Sequence, residues 1–154
     1  MTRPIRSGCA DGVRTGLAAA ILGEIAGHLG RLAEDPSYSD AIDLRSLPMT
    51  DADREDLRAA LGQGEVGAVV DVGGETRVDE SAFAGVWWVE HRGADGRVMA
   101  EQIVVARVPD ILLAHPADIA DAHRRLIATD FQDQAASQAA ATPSDPAAKE
   151  ETHG

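Results

Sequence analysis

The sequence predicts an α+β fold: an antiparallel β-meander of about four to five strands packed against about three helices. Three observations carry this expectation. Apolar residues recur at helical spacing from Val13 onward and again beyond Pro116. Between them, runs of Val, Ile and Trp are punctuated by Gly73-Gly74 and by Gly93-Ala94-Asp95-Gly96, which read as hairpin turns. The chain has 154 residues and 44% hydrophobic content, enough for one domain with a real core.

Residues 1–12 carry positive charge without an apolar run behind it, so they read as a flexible leader and not as a secretory signal. The domain is expected over 13–133. Its first helix follows Val13, Leu17, Ile21, Ile25, Leu29 and Leu32, about five turns. Gly16, Gly23, Gly27 and Gly30 weaken that helix and suggest close packing against a neighbour. His28 lies near the apolar stripe and reads as a packed boundary histidine. Asp35-Pro36-Ser37 ends the helix.

A short strand follows over 41–48, closed by Pro48. Thr50-Asp51-Ala52-Asp53 then resembles a capping box and opens a second helix, which Gly62 stops. Residues 62–67 match G-x-G-x-x-G, but a helix precedes the glycines and a strand follows. A dinucleotide site needs the reverse order.

The strand over 65–72 turns at Gly73-Gly74 into a polar strand over 75–80. Its charges suit a sheet edge. Val86-Trp87-Trp88-Val89 is the most apolar strand and carries both tryptophans of the chain, one on each face. It pairs with a strand over 97–107. A two-residue Asp95-Gly96 turn would set Glu90 opposite Glu101, a candidate acid–base pair. A three-residue loop with Gly96 left-handed sets Glu90 opposite Ala100, Trp87 opposite Ile103 and Trp88 opposite Gln102. The second register is favoured, because like charges directly opposed are destabilising. Trp87 is then the core ring, and Trp88 lies nearer the surface. A turn of helix over 108–113 and a last helix from Pro116 complete the domain, and 134–154 is expected to be a disordered tail.

The formal net charge of −12 repels nucleic acid and anionic lipid. Cys9 is the only cysteine, which excludes an internal disulfide and a cysteine-based metal cluster. With no membrane-length apolar run, these features point to the cytoplasm. The five histidines lack metal spacing, and no nucleophile elbow is present. A non-catalytic binding module, without cofactor or metal, is the expectation.

Four stretches together resemble one family: residues 42–48 (Ile-Asp-Leu-Arg-Ser-Leu-Pro), 61–66 (Leu-Gly-Gln-Gly-Glu-Val), 83–89 (Phe-Ala-Gly-Val-Trp-Trp-Val) and 107–112 with 116–119. Their order and spacing are similar to the C-terminal domain of the HupH/HyaF hydrogenase expression/formation proteins, over roughly residues 13–130. The resemblance implies a maturation factor for a membrane-bound nickel–iron uptake hydrogenase. Its partners would be the small-subunit precursor, which carries a twin-arginine signal peptide, or other hydrogenase accessory proteins. Longer members have a further N-terminal region, so this chain is expected to work as a stand-alone paralogue.

The candidate partner-binding residues are Trp88 and Glu90, with Asp43, Arg45 and Glu65 as neighbours. Each has a plainer role open to it. Asp43 and Arg45 can pair to fix a strand end, Glu65 can be a polar strand start, and both tryptophans can be core. Two other readings stand beside this one. The first is a structural subunit of an assembly complex, joined through the glycine-marked helix. The second is an enzyme using Glu90 and Glu101, which needs the disfavoured register.

Overall fold

The computed structural model describes residues 12–129. The expected tail, and the expected leader apart from Gly12, fall outside the described residues. The chain divides into two compact units, one running to Leu113 and one from Ala114 onward, and each is described by itself.

The first unit is an α+β arrangement built on a five-stranded, wholly antiparallel sheet. Helix α1 spans Leu17–Glu34, strand β1 Asp40–Asp43 and helix α2 Asp51–Leu61. Strands β2 (Gly67–Asp71), β3 (Glu75–Glu80), β4 (Val86–Arg92) and β5 (Val98–Val105) follow as a meander. The order across the sheet is β1-β5-β4-β3-β2, so β1 adds to the far side of β5. The expectation of β3 as an edge is corrected, because β3 lies between β2 and β4. The edges are β1 and β2. Charge on a strand was an unreliable guide here, since the polar face of an interior strand carries charge equally well.

Helices α1 and α2 cover one face. Ile21, Ile25 and Leu32 of α1 and Leu57 and Leu61 of α2 close over Ile42, Val86, Trp88, Ile103 and Val105. The apolar spacing of α1 therefore does what amphipathic spacing requires: one stripe is buried and the rest is wet. Its glycines do not support close packing among the described residues. A side chain added at Gly23, Gly27 or Gly30 would meet nothing within 4 Å. The close approach occurs instead at Gly85, whose φ is +85° and where an added Cβ would stand 3.0 Å from the Leu32 side chain. The opposite face holds a smaller cluster of Val78, Trp87, Val89, Val104 and Ala106, with Ala68 and Leu112 against it. Leu112 comes from a single 3-10 turn over Asp110–Leu112, where a turn of helix was expected.

The start of α2 is fixed by a dense set of hydrogen bonds. The Thr50 side chain accepts from Asp53 N–H, and the Asp53 carboxylate accepts from Thr50 N–H, a full capping box with Asp in the usual Glu position. Asp53 also accepts from the Thr15 amide at 2.8 Å and the Thr15 hydroxyl at 2.6 Å. Thr50 in turn donates to the Val13 carbonyl. One carboxylate thus ties the lead-in to α1 onto the cap of α2. These bonds, the Thr15 hydroxyl first, lower the Asp53 pKa from 3.8 to about 2.

The second unit contributes helix α3, Pro116–Ile127, with Pro at its first turn and the His115 ring accepting from Ala117 N–H. None of its residues is buried.

Candidate functional site

The tryptophan hairpin is where the candidate residues converge, and its register is a correction. The three-residue loop forms as expected. Gly93 N–H bonds to the Arg97 carbonyl, and Gly96 sits at φ +77°. Arg92 pairs with Val98, but His91 pairs with Ala100. Met99 is therefore an extra residue, a β-bulge that shifts everything beyond it by one. The result is Glu90 opposite Glu101, Trp88 opposite Ile103 and Trp87 opposite Val104.

Like charges face each other because α2 supplies the counter-charge. Arg54 and Arg58 lie four apart, on one helical face. Arg54 Nε stands 2.8 Å from Glu101 Oε2. Its N–H is not aimed along a hydrogen bond, so this contact is an ion pair. Arg58 Nη2 lies 3.2 Å from Glu101 Oε1 and 3.5 Å from Glu90 Oε2. Arg92 clasps Glu90 from its own strand at 2.7 Å. The Trp88 indole donates to Glu101 Oε1 at 3.1 Å, and the Arg58 guanidinium stacks 4.0 Å above the same ring. Glu101 is buried, its side chain only 5% exposed. Each carboxylate is therefore held by two guanidiniums, Glu101 by Arg54 and Arg58 and Glu90 by Arg58 and Arg92.

Trp88 is thus corrected from a near-surface ring to a core ring, 7% exposed. Trp87 is 5% exposed and buried on the other face, its indole donating to the Ala106 carbonyl at 3.0 Å. Both rings are covered by this chain. Asp43 and Arg45 do fix a strand end, but not by pairing side chains. The Asp43 carboxylate accepts from the Arg45 amide at 2.9 Å, and the Arg45 guanidinium donates to the Val98 carbonyl. They line a shallow recess with Ser46, Met99 and Gln102. Glu65 stands apart, exposed in the bend before β2. The structure therefore joins Trp88 and Glu90 into one network, sets Asp43 and Arg45 along the sheet margin, and leaves Glu65 outside both.

Arg54, Arg58 and Glu101 were missed as a group. The i,i+4 arginine pair on α2 was the available signal. Beside this network a groove of about 470 Å³ is lined by Arg58, Leu61, Gln63, Asp79, Glu80 and Trp88. His28 is the packed boundary residue expected, with Nδ1 2.6 Å from the Tyr38 hydroxyl. Among the described residues no group of three or more His, Cys, Asp or Glu is placed to hold a metal. No helix among them is long and apolar enough to cross a membrane.

The model of the HupH hydrogenase expression protein C-terminal conserved region matches residues 17–130. The chain belongs to this family. It is similar to the hydrogenase expression/formation protein HupH of Rhizobium leguminosarum bv. viciae, 36% identical over 94 residues, which are 59% of this chain and 32% of that protein. Against the hydrogenase-1 operon protein HyaF of Escherichia coli it is 27% identical over 116 residues, 75% of this chain and 39% of that protein. The chain thus spans about a third of the length of these curated HupH relatives. The solved structure of the hydrogenase expression protein HupH from Thiobacillus denitrificans is 44% identical, with a TM-score of 0.71. That match covers 75% of this chain and 95% of the other.

Proposed function

We propose that this chain is an accessory protein of nickel–iron uptake hydrogenase maturation, a non-catalytic chaperone that binds the small-subunit precursor or another assembly factor. The match of residues 17–130 to the HupH C-terminal region carries this reading. The relatives, which are hydrogenase expression/formation proteins, support it. The acid excess of the chain, 26 Asp and Glu against 14 Lys and Arg, suits a basic partner segment and speeds its encounter. The ion-paired state of Glu90 and Glu101 suits a structural role better than proton transfer.

The test is a pull-down of the tagged chain from cells that express a hydrogenase operon, with the bound proteins identified by mass spectrometry. Recovery of the small-subunit precursor or of another hydrogenase accessory protein is expected. Recovery of only an unrelated complex would overturn the reading. The signal-peptide version is tested separately: a twin-arginine peptide should bind more tightly than its Arg-to-Lys control.

A further inference from the structure

We propose that the β2 edge is the docking strand of this protein, and that it takes an extended segment with two basic residues four apart and an apolar residue midway. This deepens the accessory-protein reading and rests on it for the source of the segment.

The two edges of the sheet are built differently. On β1, Leu44 N–H bonds to the Glu101 carbonyl, so by alternation Ala41, Asp43 and Arg45 direct their amides outward. Two of these three are already satisfied from within, Ala41 by the Asp40 carboxylate at 2.8 Å and Arg45 by that of Asp43 at 2.9 Å, and the Asp43 carbonyl accepts from the Ser46 hydroxyl. That edge is mostly capped from within, and of these three amides only that of Asp43 is left for a partner. On β2, the Val66 carbonyl accepts from Glu80, and Val72 N–H donates to Gly74. Even-numbered residues therefore face β3, and Gly67, Val69 and Asp71 direct their amides and carbonyls outward. Among the described residues no side chain caps them. The strand carries no proline or lysine that would blunt it, and Val69 is 59% exposed.

Side chains around this edge specify the occupant. Gly67, Val69 and Asp71 share the sheet face that carries Asp79, Arg77 and Glu75 on β3. Arg77 is held by Glu75 at 3.0 Å. Asp71 and Asp79 enter no ion pair among the described residues. Because Gly67 has no side chain, the Asp79 carboxylate stands 3.1 Å from where its Cβ would be. An added strand therefore meets the Asp79 carboxylate across Gly67, the Val69 side chain, and the Asp71 carboxylate, at alternate positions on one face. Basic, apolar, basic is the complement, with apolar residues suiting Ala68 and Val70 on the other face.

The same geometry disfavours a second copy. Two β2 strands paired antiparallel about Val69 would set Asp71 of one against Gly67 of the other, and so beside Asp79. Like charges would then meet twice.

The test uses the full chain and fluorescein-labelled peptides. One peptide, Thr-Arg-Thr-Val-Thr-Arg-Thr, has the required spacing. A control of equal composition has adjacent arginines, which place one on each face. The first should bind about tenfold more tightly. Val69→Pro removes an outward N–H that no ladder bond uses, and should weaken binding about tenfold with an unchanged melting temperature. Val69→Lys, which leaves the backbone alone, should do the same. Asp79→Asn should cost roughly threefold. Equal binding of the two peptides, or Val69→Lys binding like the parent, would overturn the proposal. So would a parent dimer that Val69→Lys converts to monomer. The two Val69 variants in the pull-down above separate the readings. If the parent and both variants recover hydrogenase proteins equally, the docking edge falls and the accessory role stands. If the parent recovers none, the accessory role falls, and the peptide titration still decides the edge.

Discussion

Glu90 and Glu101 stand directly opposite each other on β4 and β5, and Arg58 of α2 reaches both, at 3.5 Å and 3.2 Å. A like-charge pair that would split an isolated hairpin becomes the point where a helix locks onto the sheet. The carboxylates depend on the guanidiniums, because Glu101 and Glu90 keep only 5% and 13% of their side chains exposed and offset the lost hydration by ion pairing, while the arginines stay partly in water.

Removing Glu101 alone is therefore expected to be costly. Glu101→Ala removes the counter-charge of Arg54 and Arg58 and leaves the buried Trp88 N–H without its acceptor, a loss of about 1–3 kcal/mol, below that of a fully buried pair because both arginines stay partly exposed. Urea unfolding measures it. Replacing Glu101 and Arg54 together should cost less than the sum of the two single changes.

Both tryptophan truncations are core truncations. Trp87→Ala and Trp88→Ala should each cost about 3–5 kcal/mol in chemical denaturation. Trp88→Phe keeps most of the ring and removes the N–H to Glu101. It should lose markedly less, and the difference from Ala separates packing from hydrogen bonding.

Asp53 sets an acid limb. Its folded pKa of about 2 lies below the ordinary 3.8, held down first by the Thr15 hydroxyl. The folded state binds this proton less readily than the unfolded state. Its contribution is therefore complete above the ordinary value and disappears as pH falls through about 2. Asp53→Asn should flatten the fall in melting temperature between about pH 4 and pH 2. Part of the slope should remain, since Asp35 and Asp40 are also lowered, by Ser37 and by the Ala41 amide respectively.

Two glycine-to-alanine changes should move stability in opposite directions. Gly85→Ala forces a left-handed backbone and a contact with Leu32, a loss of about 1–2 kcal/mol or more. Gly27→Ala meets open space within α1 and should gain about 1 kcal/mol. Thermal unfolding of the pair reads both signs.

The α+β class, the meander, the capping box at Thr50 and the stop at Gly62 were legible because they are local. Periodicity, caps and turns act over a few residues, and those residues are adjacent in the chain. The family was legible from four short stretches in order, since each reflects such local constraints. Even the three-residue loop at Gly96 could be read from its turn chemistry.

What the chain by itself could not decide was how the hairpin settles beyond that loop. Met99 bulges because the resulting register places Glu101 under Arg54 and Arg58 and Trp88 under α2, and that gain lies on an element some forty residues upstream. The loop chemistry is indifferent to it. A single-residue shift reverses which tryptophan faces the helices, and no pairwise rule within the hairpin sees the helix that decides it. For the same reason β3 could not be read as interior, nor β2 as the open edge. Strand composition reports a strand's two faces, whereas edge or centre is settled by which neighbour supplies the hydrogen bonds. The local order of elements was thus determined by sequence. The register of the carboxylates, the burial of both rings and the identity of the open edge were determined by tertiary packing.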